Sequence, residues 1–186
     1  MTVRRGNRDD ANSVRALYLA VARQGLGLAR TEDEITAEYV CAFIENSLAQ
    51  GVFLVVEDEG RKELAGEIHA YRNGLRRFSH ALSSLTVAVH PSAQRRGIGR
   101  QLFATLLSHV THQMPDIERI ELLTHESHER AKALYESMGF HREGRFERGI
   151  RNAHGGLEAD IPMAWLRPAR ATAKDYIEES GSGNES

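Results

Sequence analysis

Two hydrophobic periodicities trade places along this chain, and each predicts an element. Alternating or continuous apolar runs bounded by turn residues predict strands at Val3–Arg5, Val52–Glu57, Glu63–Tyr71 and Leu82–Val89. Another run is predicted from Ile117, where Ile120, Leu122 and Thr124 share one face. A closing antiparallel pair is predicted from Phe140–Arg151 and Leu157–Leu166, joined by Asn152–Gly156. Between them, apolar residues recur every three or four positions. Val14, Leu17, Tyr18 and Val21 predict a first helix, capped by Asp9 or Asp10. Thr31 and Glu34 have capping-box spacing and predict a second helix that buries Ile35, Tyr39 and Phe43. Ile98, Leu102, Leu106 and Val110 mark a third helix. Ala131, Leu134, Tyr135 and Met138 mark a fourth, with Gly139 at the left-handed position that ends a helix. These elements read as one α/β domain over residues 1–166. From Arg167 the chain turns to alanines, acidic residues and SGSGNES, which predicts a disordered tail over 167–186.

Composition narrows the class of protein. At 186 residues and 41% hydrophobic the chain can bury one good core. A net charge of −2 gives no basic field for nucleic acid, and the helix after Gly97 has an apolar rather than a basic stripe. A single cysteine, Cys41, excludes a disulfide framework and suits a reducing cytoplasm. No run approaches membrane-spanning length, and Arg4 and Arg5 have no apolar stretch behind them to make a secretory signal. A cytoplasmic location without membrane attachment is the expectation.

The densest information lies in VAVHPSAQRRGIG, Val87 to Gly99. A strand runs into an Arg-rich, Gly-containing turn and then a helix N-terminus. Such a helix start has unpaired N–H groups at the positive end of a dipole, and glycine lets backbone approach a phosphate. A phosphate-bearing cofactor is therefore expected. Gly99 is followed by Arg100 and Gln101, not Lys-Ser/Thr, so the loop is no P-loop. Leu102 stands where a dinucleotide fingerprint needs its third glycine.

The spacing Gln94-x-x-Gly97-x-Gly99 after a strand resembles the coenzyme A pyrophosphate loop of the GNAT superfamily of acetyl-CoA-dependent N-acetyltransferases. The stretch Ile117–Phe140, with Ala131, Leu134-Tyr135 and Gly139-Phe140, resembles the second signature of that family. Together the resemblance covers about Val3 to Leu166. It implies a single GNAT-like domain, with a mixed, mostly antiparallel central sheet and helices on both faces. It implies acetyl-CoA as co-substrate and direct attack by an amine in a ternary complex. Val87 and Val89 would contact the pantetheine arm, with the Val89 N–H as oxyanion donor. The pyrophosphate would rest on the backbone of Arg95, Arg96, Gly97, Ile98, Gly99 and Arg100. His128 stands where the family often has an asparagine, and would serve as a hydrogen-bonding group to the cofactor.

Acetyl transfer also needs a proton for the departing thiolate and a deprotonated amine. Tyr135, which the resemblance turns toward the sulfur, is the expected general acid, since a tyrosine is protonated at neutral pH. The carboxylates that many family members place before the loop or before the second signature are absent, because those stretches read Ser83-Ser84 and Leu122-Leu123. Glu67 shares a strand face with His69 in a segment otherwise apolar, so it needs a polar role. It is the expected base, acting through a water, with His69 and Glu126 as competitors and a structural hydrogen bond as the plain alternative. His125, Glu126 and His128 miss the His-Glu-x-x-His spacing, and no metal is expected. The family's acceptor groove corresponds to the Gln24–Arg30 loop and the last strands. The charges there leave open which amine, of a small molecule or a peptide, is the acceptor, and a homodimer stays open too. The reading from another functional class is a regulatory module that binds acyl-CoA without turnover.

Overall fold

The alternating segments pair into a sheet of eight strands. β1 (Val3–Arg5), β2 (Gly51–Asp58), β3 (Glu63–Tyr71) and β4 (Ala81–Val89) lie side by side, each antiparallel to the next. β5 (Arg119–His125) follows, and β8 (Leu157–Leu166) pairs antiparallel with it. Two shorter strands, β6 (His141–Arg142) and β7 (Phe146–Arg151), both pair with β8. The computed structural model describes residues 2–25, 28–58, 60, 63–152 and 154–169. Of the tail expected from Arg167, residues 170–186 lie outside these. Arg167 itself is anchored, its guanidinium donating to the carbonyls of Val110, Met114 and Ile117 at the end of the third helix.

Helices cover both faces. α1 (Ala11–Ala22) and α2 (Ala37–Gln50) bury Val14, Leu17, Tyr18, Phe43 and Ile44 against Phe53, Val55 and Ala88. On the opposite face, α3 (Ile98–Gln113) places Leu102, Phe103, Leu106 and Val110 on Leu54, Ile68, Ile120 and Leu122. The short α4 (Glu129–Ser137) adds Tyr135 to the same layer. The predicted mixed α/β sheet flanked on both faces is the observed one.

Three local expectations are refined. Asp10 is the N-cap of α1 as expected, but it makes no side-chain cap hydrogen bond there. The capping box belongs to a preceding 3₁₀ turn over Arg8–Asp10, where the Asn7 Oδ1 accepts from the Asp9 N–H while the Asp10 carboxylate accepts from the Asn7 N–H. Thr31 and Glu34 do form a capping box, but around a separate 3₁₀ turn over 32–34, and Thr36 caps α2. The expected strand Phe140–Arg151 is two strands, β6 and β7, separated by residues 143–145. β7 is itself irregular: Arg148 takes a positive φ of 54° and the register on β8 shifts between Phe146 and Ile150.

One junction organises everything that follows. β4 and β5 run parallel, joined through α3, but they pair only at Ala81–Arg119 and Leu82–Ile120. Beyond that point β4 carries Ser84 at φ 54°, and its register on β3 shifts. A bulge of this kind bends the strand that holds it. The two strands diverge from there toward their C-terminal ends.

Candidate active site

The divergence leaves a cleft of about 850 Å³. β4 lines it with Ser83 to Val87 and Val89, β5 with Arg119 and Glu121 to His125. Leu28 and Ala29 come from the α1–α2 loop, and Phe146, Asp160 and Pro162 from the last strands.

On the β4 side, alternation in the ladder decides which backbone groups face the gap. The His90 N–H donates to the Ala65 carbonyl, so Ala88 is in a hydrogen-bonded pair with Glu67 while Val87 and Val89 are not. The N–H and C=O groups of Val87 and Val89 therefore point away from β3, toward the place where β5 has departed. They are polar groups with no strand to satisfy them.

The turn after β4 ends at Gly97, which is the N-cap of α3 with φ 78° and offers no side chain to the helix N–H groups. The first turn of α3, with Ile98, Gly99 and Arg100, thus presents uncapped donors. Arg95 (φ 64°) is exposed, and Arg96 is half-exposed beside Asp58 at 3.5 Å. Arg100 turns instead to α4, donating to Ser137 Oγ at 2.9 Å. Of the loop and helix-start residues assigned to the cofactor, Gly99 is the one that lines the cleft itself, with Leu134 packed close to it.

From α4, Tyr135 reaches the same cleft. It is 9% exposed, packed on Phe103 and Phe140, and burial pushes its phenol up to about 12. His128 also lines the cleft, at the N-cap of α4, stacked on His125 with ring centroids 4.4 Å apart. Burial, and then the neighbouring His125, push its imidazole down, so His128 is neutral at physiological pH.

Glu67 lies elsewhere. It is 0% exposed on β3 beneath α1 and α2, and does not line the cleft. Its Oε2 accepts from the Tyr18 hydroxyl at 2.7 Å, and its Oε1 pairs with His69 Nδ1 at 2.9 Å. His69, 2% exposed, is sandwiched between Phe43 at 4.1 Å and Tyr71 at 6.0 Å. Its register partner is Thr86, which does line the cleft. Glu126 is half-exposed and held by a two-pronged ion pair with Arg145. The structure thus brings together Val87, Val89, Gly99, His128 and Tyr135, and sets Glu67 one strand away.

One cleft group went unread in the sequence. Asp160 on β8 is 9% exposed, and its Oδ1 has no hydrogen-bond partner. The signal was there: a carboxylate breaking the apolar run Ala159 to Leu166. It needs the strand pairing to show which face it takes. Among the described residues no cluster of His, Cys, Asp or Glu could hold a metal ion, and no helix is long and apolar enough to cross a membrane.

Similarity to solved structures follows this architecture. An acetyltransferase of the GNAT family from Streptococcus pneumoniae superposes with a TM-score of 0.80 at 19% identity, covering 89% of this chain and 99% of that one. A ribosomal-protein-alanine N-acetyltransferase from Brucella melitensis gives 0.78 at 21% identity, covering 90% and 100%. A GNAT superfamily phosphinothricin acetyltransferase from Sinorhizobium meliloti, solved in complex with acetyl-CoA, gives 0.72 at 19%, covering 94% and 96%. At these identities the likeness speaks for the fold. No curated protein matches by sequence. Residues 49–142, half of the chain, match the family model described as the acetyltransferase (GNAT) domain. They carry β2 to β6, the diverging strands, the Gly97 turn and Tyr135, and the chain is a member of the GNAT acetyltransferase family.

Proposed function

We propose that the protein transfers the acetyl group of acetyl-CoA to a primary amine of a small molecule or peptide, by direct attack in a ternary complex. The observation that carries this reading is the unsatisfied backbone of Val87 and Val89 facing, across one cleft, the buried phenol of Tyr135. The cleft fits an extended, amide-bearing arm: one wall offers strand donors and acceptors, and the end at α3 offers uncapped N–H groups beside three arginines. Those N–H groups and the exposed Arg95 and half-exposed Arg96 hold the pyrophosphate. His128, neutral and at the cleft wall, hydrogen-bonds the pantetheine.

In the transfer, the amine nitrogen forms a bond to the thioester carbon as the carbon–sulfur bond breaks. The Val89 N–H donates to the oxygen as it gains charge. Tyr135 gives its proton to the sulfur, and a phenol held near 12 remains available for this at any physiological pH. The proton lost by the amine goes to the Glu67–His69 pair. With Nδ1–H directed at Glu67, Nε2 is the ring atom left to accept a proton. With Thr86 between His69 and the cleft, the proton travels by relay, and Glu67 acts as a positioning residue.

The test is thiol release from acetyl-CoA across a panel of amines and peptides, with pH–rate profiles of wild type and Glu67→Gln. The expected result is release only when an acceptor is present, and a Glu67→Gln deficit that shrinks as pH rises and the amine deprotonates unaided. Binding of acetyl-CoA with no turnover on any amine would overturn the reading. Parallel pH profiles would remove the Glu67–His69 pair from the proton path and leave the rest standing.

A further inference from the structure

The acceptor half of the cleft holds an uncompensated charge. Among its lining residues are three carboxylates, Glu121, Glu143 and Asp160, and a single guanidinium, Arg119. Arg119 is committed: it bonds both Glu121 and Glu143. Asp160 receives nothing from it. The neighbouring Arg145 is tied to Glu126 and Glu147, and His125, the register partner of Asp160, approaches Glu158 at 3.8 Å. Asp160 is 91% buried by its 9% exposure, and its Oδ1 is the buried side-chain polar atom left without a partner among the described residues.

A carboxylate oxygen out of water and unpaired is costly, on the order of 1–3 kcal/mol or more. The fold goes out of its way to keep it there. β7 can lie against Asp160 only because residue 149 is glycine; a Cβ at that position would fall 2.8 Å from the Asp160 Cβ. Apolar side chains, Leu28, Leu123, Phe146, Ile150 and Pro162, line the cleft together with Asp160, and His125 is its neighbour on β5. Asp160 stands on the strand beyond β5, so its distance past the opening is at least one strand spacing, about 5 Å.

We propose that Asp160 binds a second cationic nitrogen of the acceptor, so that the favoured acceptors are diamines, or amines with another cationic group at a comparable distance. The proposal rests on the acetyl-transfer reading and names the acceptor class for that site. The reacting nitrogen lies at the β4–β5 opening. The apolar lining residues cover a linker of about three methylenes or more, as a separation of at least ~5 Å requires. The distal ammonium donates to the Asp160 carboxylate where it lines the cleft, and its charge offsets that of the buried Oδ1 side as well.

Thiol release distinguishes the outcomes when α,ω-diaminoalkanes are compared with n-alkylamines of matched length, in wild type and in Asp160→Asn. A hydrogen bond to a charged group is worth ~1.5–3 kcal/mol, so wild-type kcat/KM for diamines should exceed that for alkylamines by about ten- to a hundredfold. In Asp160→Asn the ratio should fall to near one. A wild type without diamine preference overturns the proposal, even if the variant fails to fold, and so does a ratio unchanged in a folded Asp160→Asn. A fall in both rates together would place Asp160 on the reacting amine and overturn it as well. Should no amine release thiol, the acetyl-transfer reading is what fails. Melting curves then decide this one: 1,4-diaminobutane must raise the wild-type Tm more than butylamine does, and lose that advantage in Asp160→Asn.

Discussion

Tyr135 illustrates how little separates a packing residue from a catalytic one. Its ring fills a gap between Phe103 and Phe140, as any aromatic would. The hydroxyl alone distinguishes it, so Tyr135→Phe should preserve packing and lower kcat by about 10²- to 10⁴-fold, the usual worth of general acid catalysis. A variant with full activity, under conditions where chemistry limits the rate, would reduce Tyr135 to packing. The raised phenol pKa adds a second, independent signature. The unfolded chain ionises tyrosine near pH 10, while folded Tyr135 stays neutral to about 12. The stability linked to it is therefore complete below pH 10 and lost as pH rises from 10 to 12. Thermal melts between pH 9 and 12 should show a shallower decline for Tyr135→Phe than for wild type. The sequence marked Tyr135 because its neighbours formed a motif. It placed Glu67 less well: a polar pair on a strand says that the face is special, but not that α1 and α2 seal it from the cleft. Asp160 was passed over for the complementary reason, since one carboxylate in an apolar run reveals its exposure only after β7, β8 and β5 are assembled.

At the scale of elements, the signals that survived were the long periodic ones. The α3 stripe needed no tertiary information, since four residues spaced four apart define a face by themselves, and all four are buried. β3 and β8 fall at the expected bounds. What failed were short-range cues with two structural outlets. A Thr–Glu capping box closes a 3₁₀ turn as readily as it opens an α-helix, and the segment Phe140–Arg151, interrupted at residues 143–145, looks continuous in the sequence. Gly97 joins element to function. Nothing lies within 4 Å of a Cβ placed there, so a side chain is opposed by the backbone conformation rather than by crowding. Gly97→Val should cost ~1–2 kcal/mol for the left-handed conformation and lower acetyl-CoA affinity by about tenfold, equivalent to ~1.4 kcal/mol. Calorimetric titration on the folded variant measures the second effect, and an unchanged Kd would remove the α3 turn from the cofactor site.

The molecule as a whole is two half-sheets, β1 to β4 and β5 to β8, stitched at Ala81–Arg119 and Leu82–Ile120 and bridged by α3. That architecture has an isotopic consequence. In the free protein the amides of Ala88 and His90 are held in the β3 ladder, whereas those of Val87 and Val89 meet no strand. Deuterium should therefore enter β4 in an alternating pattern, fast at Val87 and Val89 and slow at the residues between and after them. Saturating acetyl-CoA should slow the two fast sites selectively, turning the alternation into uniform protection while leaving β2 untouched. Residue-resolved exchange would read this directly. If Val87 and Val89 kept their rates with cofactor bound, the missing rung of the sheet would be a gap in the fold and not the place a ligand completes it.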